Sequence, residues 1–248
     1  MDPNQAINEI SSQVAVCTRC QLHYSRKKSV PGEGPVNSEV VLIGEGPGFY
    51  ENEQGRPFVG AAGKFLDELL EKGGVKREEV FITNVVKCRP PGNRDPLPEE
   101  LSACNEYLDR QIDAINPLVI VTLGRYSMAK FMPNAKISEV HGQAMAIRGR
   151  LIIPMYHPAA ALHQPSLKTT LERDFSRLTD LIQQAKTRPA GAQSAATAQG
   201  QPAAAQPRKT APGQPGPSQP GLLSQEHKTA EPKPAEPKND TPTQLSLF

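Results

Sequence analysis

The sequence predicts an α/β fold, with a parallel or mixed sheet covered by helices on both faces. Three observations carry this. The apolar run Val40-Val41-Leu42-Ile43 has the length of a buried strand, a glycine-dense turn follows it, and Phe65, Leu66, Leu69 and Leu70 then recur at helical spacing. The same alternation of strand and helix continues along the chain. In order, the pattern gives an amphipathic helix over 7–16, a strand over 40–43, a helix over 64–70 and a strand over 80–86. A helix over 98–115, a strand over 118–123, a short helix over 125–131, a strand over 151–155 and a closing helix over 167–185 complete it. No internal repeat is present.

Composition divides the 248 residues into two unequal parts. From Thr187 onward Pro, Ala, Gln, Gly and Lys dominate and no aromatic occurs before the last residue. Such a segment cannot bury enough surface to offset its chain entropy, so 187–243 is expected to be a disordered linker. Residues 1–186 are left as one domain, a comfortable size for a single core. Six of the 28 Lys/Arg and four of the 26 Asp/Glu fall in the tail, so the domain holds 22 of each and is formally neutral. Any nucleic-acid binding then rests on a local patch. The amino terminus has no secretory pattern, and no apolar run approaches the roughly 20 residues of a membrane span. A cytosolic location without membrane attachment is the expectation.

The turn Gly44-Glu45-Gly46-Pro47-Gly48, followed by Gly55-Arg56-Pro57-Phe58-Val59-Gly60 and Ala62-Gly63, reads as a pocket floor at the carboxyl end of a strand. Plain tight turns or a degenerate phosphate loop are the alternatives. Neither G-x-G-x-x-G opening into a helix nor G-K-[ST] is present.

Four cysteines in a cytosolic chain point away from disulfides. Cys17 and Cys20 form a C-x2-C pair, while Cys88 and Cys104 lie downstream with fifteen residues between them. Together they can complete a four-sulfur shell. Their spacing does not separate zinc from an iron–sulfur cluster.

Three polar residues fall at predicted strand ends: Glu45 after the first strand, Asn84 ending the second, and His157 after the last. If those strands are parallel neighbours, the side chains share one sheet edge with the glycine turn. Each also has a structural reading, as a cap partner, a turn former or a histidine fixed before proline.

The segments GEGPGFYENEQGRPFVGAAGKFLDELL, TNVVKCRPPGNRDP and MYHPAAAL, together with the four cysteines, resemble the family 4 uracil-DNA glycosylases of bacteria and archaea. The resemblance spans roughly residues 7–186, with the motifs in the family's order. It implies a three-layer α/β/α sandwich around a short, mainly parallel four-stranded sheet, and a 4Fe-4S cluster on Cys17, Cys20, Cys88 and Cys104. It implies base excision repair: uracil is flipped out of single- or double-stranded DNA and its glycosidic bond is hydrolysed. Phe58 would stack on the base, Asn84 would read its N3–H and O4, and Gly44, Gly46 and Gly48 would bring backbone amides to it. The turn from Gly48 to Glu51 would exclude the thymine methyl group. His157 would donate to the uracil O2, and Glu45 would orient water or offset charge on the sugar. Gly46 stands where some other uracil glycosylases carry an aspartate, and Asn52 follows Glu51 where an acidic residue is usual. The segment from Arg89 to Pro96 has the hydrolytic form, lacking the His-containing insertion of a related group that bonds covalently to its product. Arg89 and Arg94 would meet phosphates, and Leu162 would fill the gap left by the flipped base.

Gln244-Leu245-Ser246-Leu247-Phe248 breaks the polar character of the tail. It resembles the motif by which bacterial replication and repair proteins dock on the polymerase sliding clamp, with Gln244, Leu245, Leu247 and Phe248 as contacts. A flexible linker of roughly 55 residues spans about 40 Å, enough for a tethered search of DNA. A monomer associated with the nucleoid is the expectation.

Overall fold

The computed structural model describes residues 2–188; of the predicted linker over 187–243, Thr187 is instead the last residue of a helix, and the part from 189 on, with the motif at 244–248, lies outside the described residues. A five-stranded sheet of order β2-β1-β3-β5-β4 forms the centre. Strands β1 (Val40–Gly44), β2 (Phe81–Asn84), β3 (Val119–Leu123) and β5 (Arg150–Met155) are mutually parallel, and β4 (Met145–Ile147) runs antiparallel to β5. Every residue of β1, β2 and β3 is buried, as expected of strands covered on both faces.

Alternate side chains of these strands feed two separate cores. Val40, Leu42, Val121 and Ile153 pack with Leu66 and Leu70 of helix α3 (Ala61–Lys72), Phe175 of α8 (Ser166–Phe175) and Leu178 and Leu181 of α9 (Leu178–Thr187). Val41, Ile43, Ile120 and Ile152 face Ile10 and Val14 of α1 (Pro3–Ala15) and Leu108 and Ile112 of α4 (Pro98–Ile115). The period of two in the strands thus generates the three-layer α/β/α sandwich.

The four parallel strands are those the sequence predicts, and β4 corrects the count of four. It is joined to β5 by Arg148 (φ 47°) and Gly149 (φ 78°), a two-residue hairpin turn with positive φ at both positions. Asn or Asp usually fills the first place, and Arg148 hides the turn. The short partner also explains proline inside β5. Pairing with β4 stops at Ile152, and beyond it Pro154 only accepts, its carbonyl taking the Gly142 N–H at 2.8 Å, so no N–H is needed from it.

Other boundaries shift. Residues 49–54, predicted as part of a turn, form helix α2 (Phe49–Gln54), started at Gly48 and ended at Gly55 in the left-handed region. The single closing helix over 167–185 is two helices, α8 and α9. Ahead of them α7 (Pro158–His163) opens with proline in its first turn and the His157 side chain as its cap. Among the described residues no helix is long and apolar enough to cross a membrane.

The chain passes from β1 outward to β2, then returns to β3 on the other flank of β1. This reversal of strand order makes a crevice at the carboxyl edge of the sheet.

Candidate active site

A cavity of about 350 Å³ opens at that edge. Glu45, Gly46, Gly48, Glu51, Phe58, Asn84 and His157, all singled out in the sequence, line it, as does Arg94. Gly44 lies directly beneath. It pairs with Asn84 across β1 and β2, and a β-carbon on it would stand 2.4 Å from Asn84 Oδ1 and 2.7 Å from Phe58 Cζ. Glycine is therefore required for these two side chains to approach each other.

Asn84 is 1% exposed, and its Oδ1 is one of three buried side-chain polar atoms without a partner among the described residues. An oxygen so placed costs about 1–3 kcal/mol until a donor meets it. Behind it, the buried Lys87 Nζ donates to the Asn84 carbonyl at 2.8 Å, to Thr83 Oγ1 at 2.6 Å and to Gln111 Oε1 at 2.6 Å. Burial pushes this ammonium down to about 7.

His157 follows β5, and its Nδ1 accepts the backbone N–H of Ala159 at 3.1 Å. In the neutral ring the proton is then on Nε2. Burial pushes the imidazole down to about 4, so the ring is neutral near pH 7. Gly124, with φ 93°, makes room for it: a β-carbon there would come within 3.2 Å of His157 Cβ. Phe58 stacks beside the imidazole, with ring centroids 5.6 Å apart and planes 27° apart.

Phe58 itself has φ 52°, a left-handed backbone that a bulky residue adopts at a cost of about 1–3 kcal/mol. Three contacts hold it. Arg77 donates to the Pro57 and Phe58 carbonyls at 2.7 and 3.3 Å, Gly63 lets α3 press against the Phe58 carbonyl, and Glu51 Oε1 accepts the N–H groups of Val59 and Gly60, each at 2.9 Å. Glu51 thus closes the loop that carries Phe58, besides lining the cavity. Arg77 and Lys87 were missed in the sequence, where each is one basic residue among many.

Glu45 is half-buried and its pKa lies above the usual carboxylate value. Desolvation is the main cause, Asp95 adds to it, and Arg125 partly offsets it. A β-carbon on Gly46 would meet Val86 Cγ2 at 2.8 Å.

The predicted DNA-contacting residues separate. Arg89 donates to Asn93 Oδ1 at 2.8 Å and its guanidinium lies 5.3 Å from the centre of the Phe49 ring. Arg94, partly exposed at the cavity rim, makes a bidentate pair with the buried Glu100, at 2.6 and 2.9 Å. Leu162 is 50% exposed on α7, whose Ala159, Ala160 and His163 line the cavity.

Cys17, Cys20, Cys88 and Cys104 line one separate small cavity together with Val14, Lys87 and Tyr107. All four are free thiols. Burial raises the pKa of Cys20 and Cys88 and pushes Cys104 up to about 11. Two donors face the sulfurs: Arg26 Nη1 lies 3.5 Å from Cys88 Sγ, and the Lys87 backbone N–H 3.3 Å from Cys104 Sγ. Among the described residues no three His, Cys, Asp or Glu side chains close on a single-ion site.

Residues 31–179 match the Uracil DNA glycosylase superfamily. The chain is 46% identical over 186 residues to a type-4 uracil-DNA glycosylase of Sulfurisphaera tokodaii, which covers 71% of this chain and 84% of that protein. It is 44% identical over 187 residues to the type-4 enzyme of Archaeoglobus fulgidus, covering 71% and 94%, respectively. Against the type-4 enzyme of Thermotoga maritima it is 44% identical over 178 residues, covering 70% and 93%. The pocket residues and all four cysteines lie on one sandwich whose sequence matches these enzymes over most of their length, and the chain belongs to the type-4 branch of the uracil-DNA glycosylase superfamily.

Proposed function

We infer that this chain removes uracil from DNA in base excision repair, hydrolysing the bond between N1 of the base and C1′ of the sugar to leave free uracil and an abasic site. The observation that carries the reading is the Asn84 amide, buried at the pocket with Oδ1 unpaired. Uracil N3–H supplies the missing donor, and Nδ2 then faces O4. Cytosine presents an acceptor at N3 and a donor at its exocyclic amine, so a fixed amide rejects it. Lys87 fixes the backbone from which this amide projects. Phe58 offers its ring to the base, a contact worth about 1–3 kcal/mol. Residues 48–51, at the start of α2, form the wall against the thymine methyl group, and the backbone around Gly44, Gly46 and Gly48 lies against the base.

As the bond breaks, negative charge gathers on uracil O2. Neutral His157 donates Nε2–H to it, which for a preorganised donor contributes about 3–4 kcal/mol. Glu45 orients the attacking water or balances positive charge on the sugar. Arg89 meets a phosphate, and Leu162 enters the gap left by the base. Arg94, committed to Glu100, supports the rim from within.

The four cysteines fit a 4Fe-4S cluster. They share one cavity and two donors face their sulfurs, as a four-thiolate group requires. Bound there, the cluster would tie the segment after α1, the segment after β2 and α4 into one unit. Residues 244–248 are proposed to dock the chain on the sliding clamp through Gln244, Leu245, Leu247 and Phe248, with the segment after α9 as the linker to them; the support is their sequence. A cytoplasmic, nucleoid-associated monomer accords with these roles.

The test uses the full, cluster-loaded chain on a single-stranded oligonucleotide containing one uracil. Release of uracil with formation of an abasic site is expected. Absence of product, or full activity in Asn84→Ala, overturns the reading.

A further inference from the structure

Helix α2 is built inside out. Its one buried residue is the polar Asn52, whose Oδ1 accepts the Lys27 backbone N–H at 3.0 Å, while its two aromatic residues face water. Phe49 is 51% and Tyr50 58% exposed, among only six exposed large hydrophobic residues in the described part of the chain. Their rings meet edge to face with centroids 5.4 Å apart, and Arg89 lies over Phe49. Folding gains nothing from aromatics in water, and the buried contacts of α2 do not account for them.

Their position does. Phe49 and Tyr50 sit between Gly48 and Glu51, which line the uracil pocket, and Arg89 adjoins Pro90, which lines it too. A nucleic acid whose uracil occupies the pocket must continue over this rim. We propose that Phe49 and Tyr50, with Arg89, form a platform for the unpaired base next to the extruded uracil in single-stranded DNA. The proposal rests on the uracil-excision reading.

A flat apolar surface beside a guanidinium is the chemistry of a single-strand site: any base can stack on the rings, and the cation meets its phosphate. In a duplex the neighbouring base is already stacked and paired, and must give up both contacts to reach the platform. The surface therefore favours single-stranded substrate. It also differs in kind from the pocket. The pocket reads hydrogen-bonding groups on one base, whereas the platform accepts any of them.

The test compares the cluster-loaded wild type with Phe49→Ala and Tyr50→Ala on three substrates: a single-stranded uracil oligonucleotide, the same strand with abasic spacers on both sides of the uracil, and the duplex. Phe49→Ala is expected to lower kcat/KM on the plain single strand by roughly 5- to 150-fold, the range for one lost stacked base, chiefly through KM. Tyr50→Ala acts in the same direction. On the spacer strand the wild type falls to the level of the variant, and on the duplex the loss is several-fold smaller. Equal losses on plain and spacer strands, or no loss on the plain strand, overturn the platform. A wild type inactive on all three substrates overturns the uracil reading instead.

Discussion

Asn84 and Cys88, four residues apart, serve two sites built on opposite terms. At the pocket, the two groups that face the base are neutral and fixed: an amide held through Lys87, and an imidazole whose proton position is set by the Ala159 N–H. Recognition there is a matter of donor and acceptor geometry, suited to an uncharged base. At the cysteine cavity burial opposes the ionisation of Cys20, Cys88 and Cys104, with Arg26 and a backbone N–H as partial compensation. The proposed cluster would complete such a site with positive charge of its own. The pocket can be preorganised by the protein alone, and the cysteine cavity cannot.

The largest expected effect tests that division from the cysteine side. Cys104→Ser should abolish the visible absorbance expected of the proposed cluster and sharply lower the melting temperature. Uracil release should fall as well, because residues 84–88 are shared. A colourless wild type with one zinc ion per chain would break the comparison.

His157→Ala probes the other side. It should lower kcat by about 10²- to 10³-fold, the cost of one preorganised oxyanion donor, while visible absorbance stays near wild type and stability falls by about 0.5–2 kcal/mol from the lost α7 cap. Loss of absorbance in this variant would mean that the two regions are not independent.

How far the sequence revealed these regions depends on the range of the physics involved. The parallel strands, α4 and the glycine turn were legible because apolar period and glycine density are local signals. The candidate pocket residues were legible because Glu45, Asn84 and His157 fall at strand ends, which a parallel sheet brings to one edge. What escaped is set by tertiary contact. Arg148 in a hairpin turn defies the usual residue preference, and the 49–54 helix hides among glycines. Nothing local distinguishes Lys87, buried on three oxygens, or Arg77, gripping the Phe58 loop, from solvated bases. Nor does anything local show that Arg94, read as a phosphate ligand, also pairs with Glu100.

Gly46 offers an intermediate effect. With Val86 Cγ2 at 2.8 Å from where a β-carbon would stand, Gly46→Ala should cost about 1–3 kcal/mol by overpacking, read from denaturant unfolding. Val86→Ala in the same chain should recover most of that loss. Without coupling between the two, the steric account of why no side chain stands at position 46 fails.

The smallest effect is electrostatic and concerns Glu45. Its raised pKa means that the carboxylate is lost, as pH falls, earlier than an ordinary glutamate would be. The acid limb of kcat/KM should therefore lie above the usual carboxylate range, and above the protonation of His157 near about 4. Asp95 contributes to the rise and also pairs with Arg125. Asp95→Asn removes a negative charge and frees Arg125 to act on Glu45, and both changes favour the ionised carboxylate. The limb should move to lower pH, whereas Arg125→Gln should move it higher. Asp95 and Arg125 are more than half exposed, so both shifts should be small and shrink as salt is added. An acid limb unmoved by either substitution at low salt would leave desolvation as the sole cause, and the rim charges would have no part in tuning the pocket.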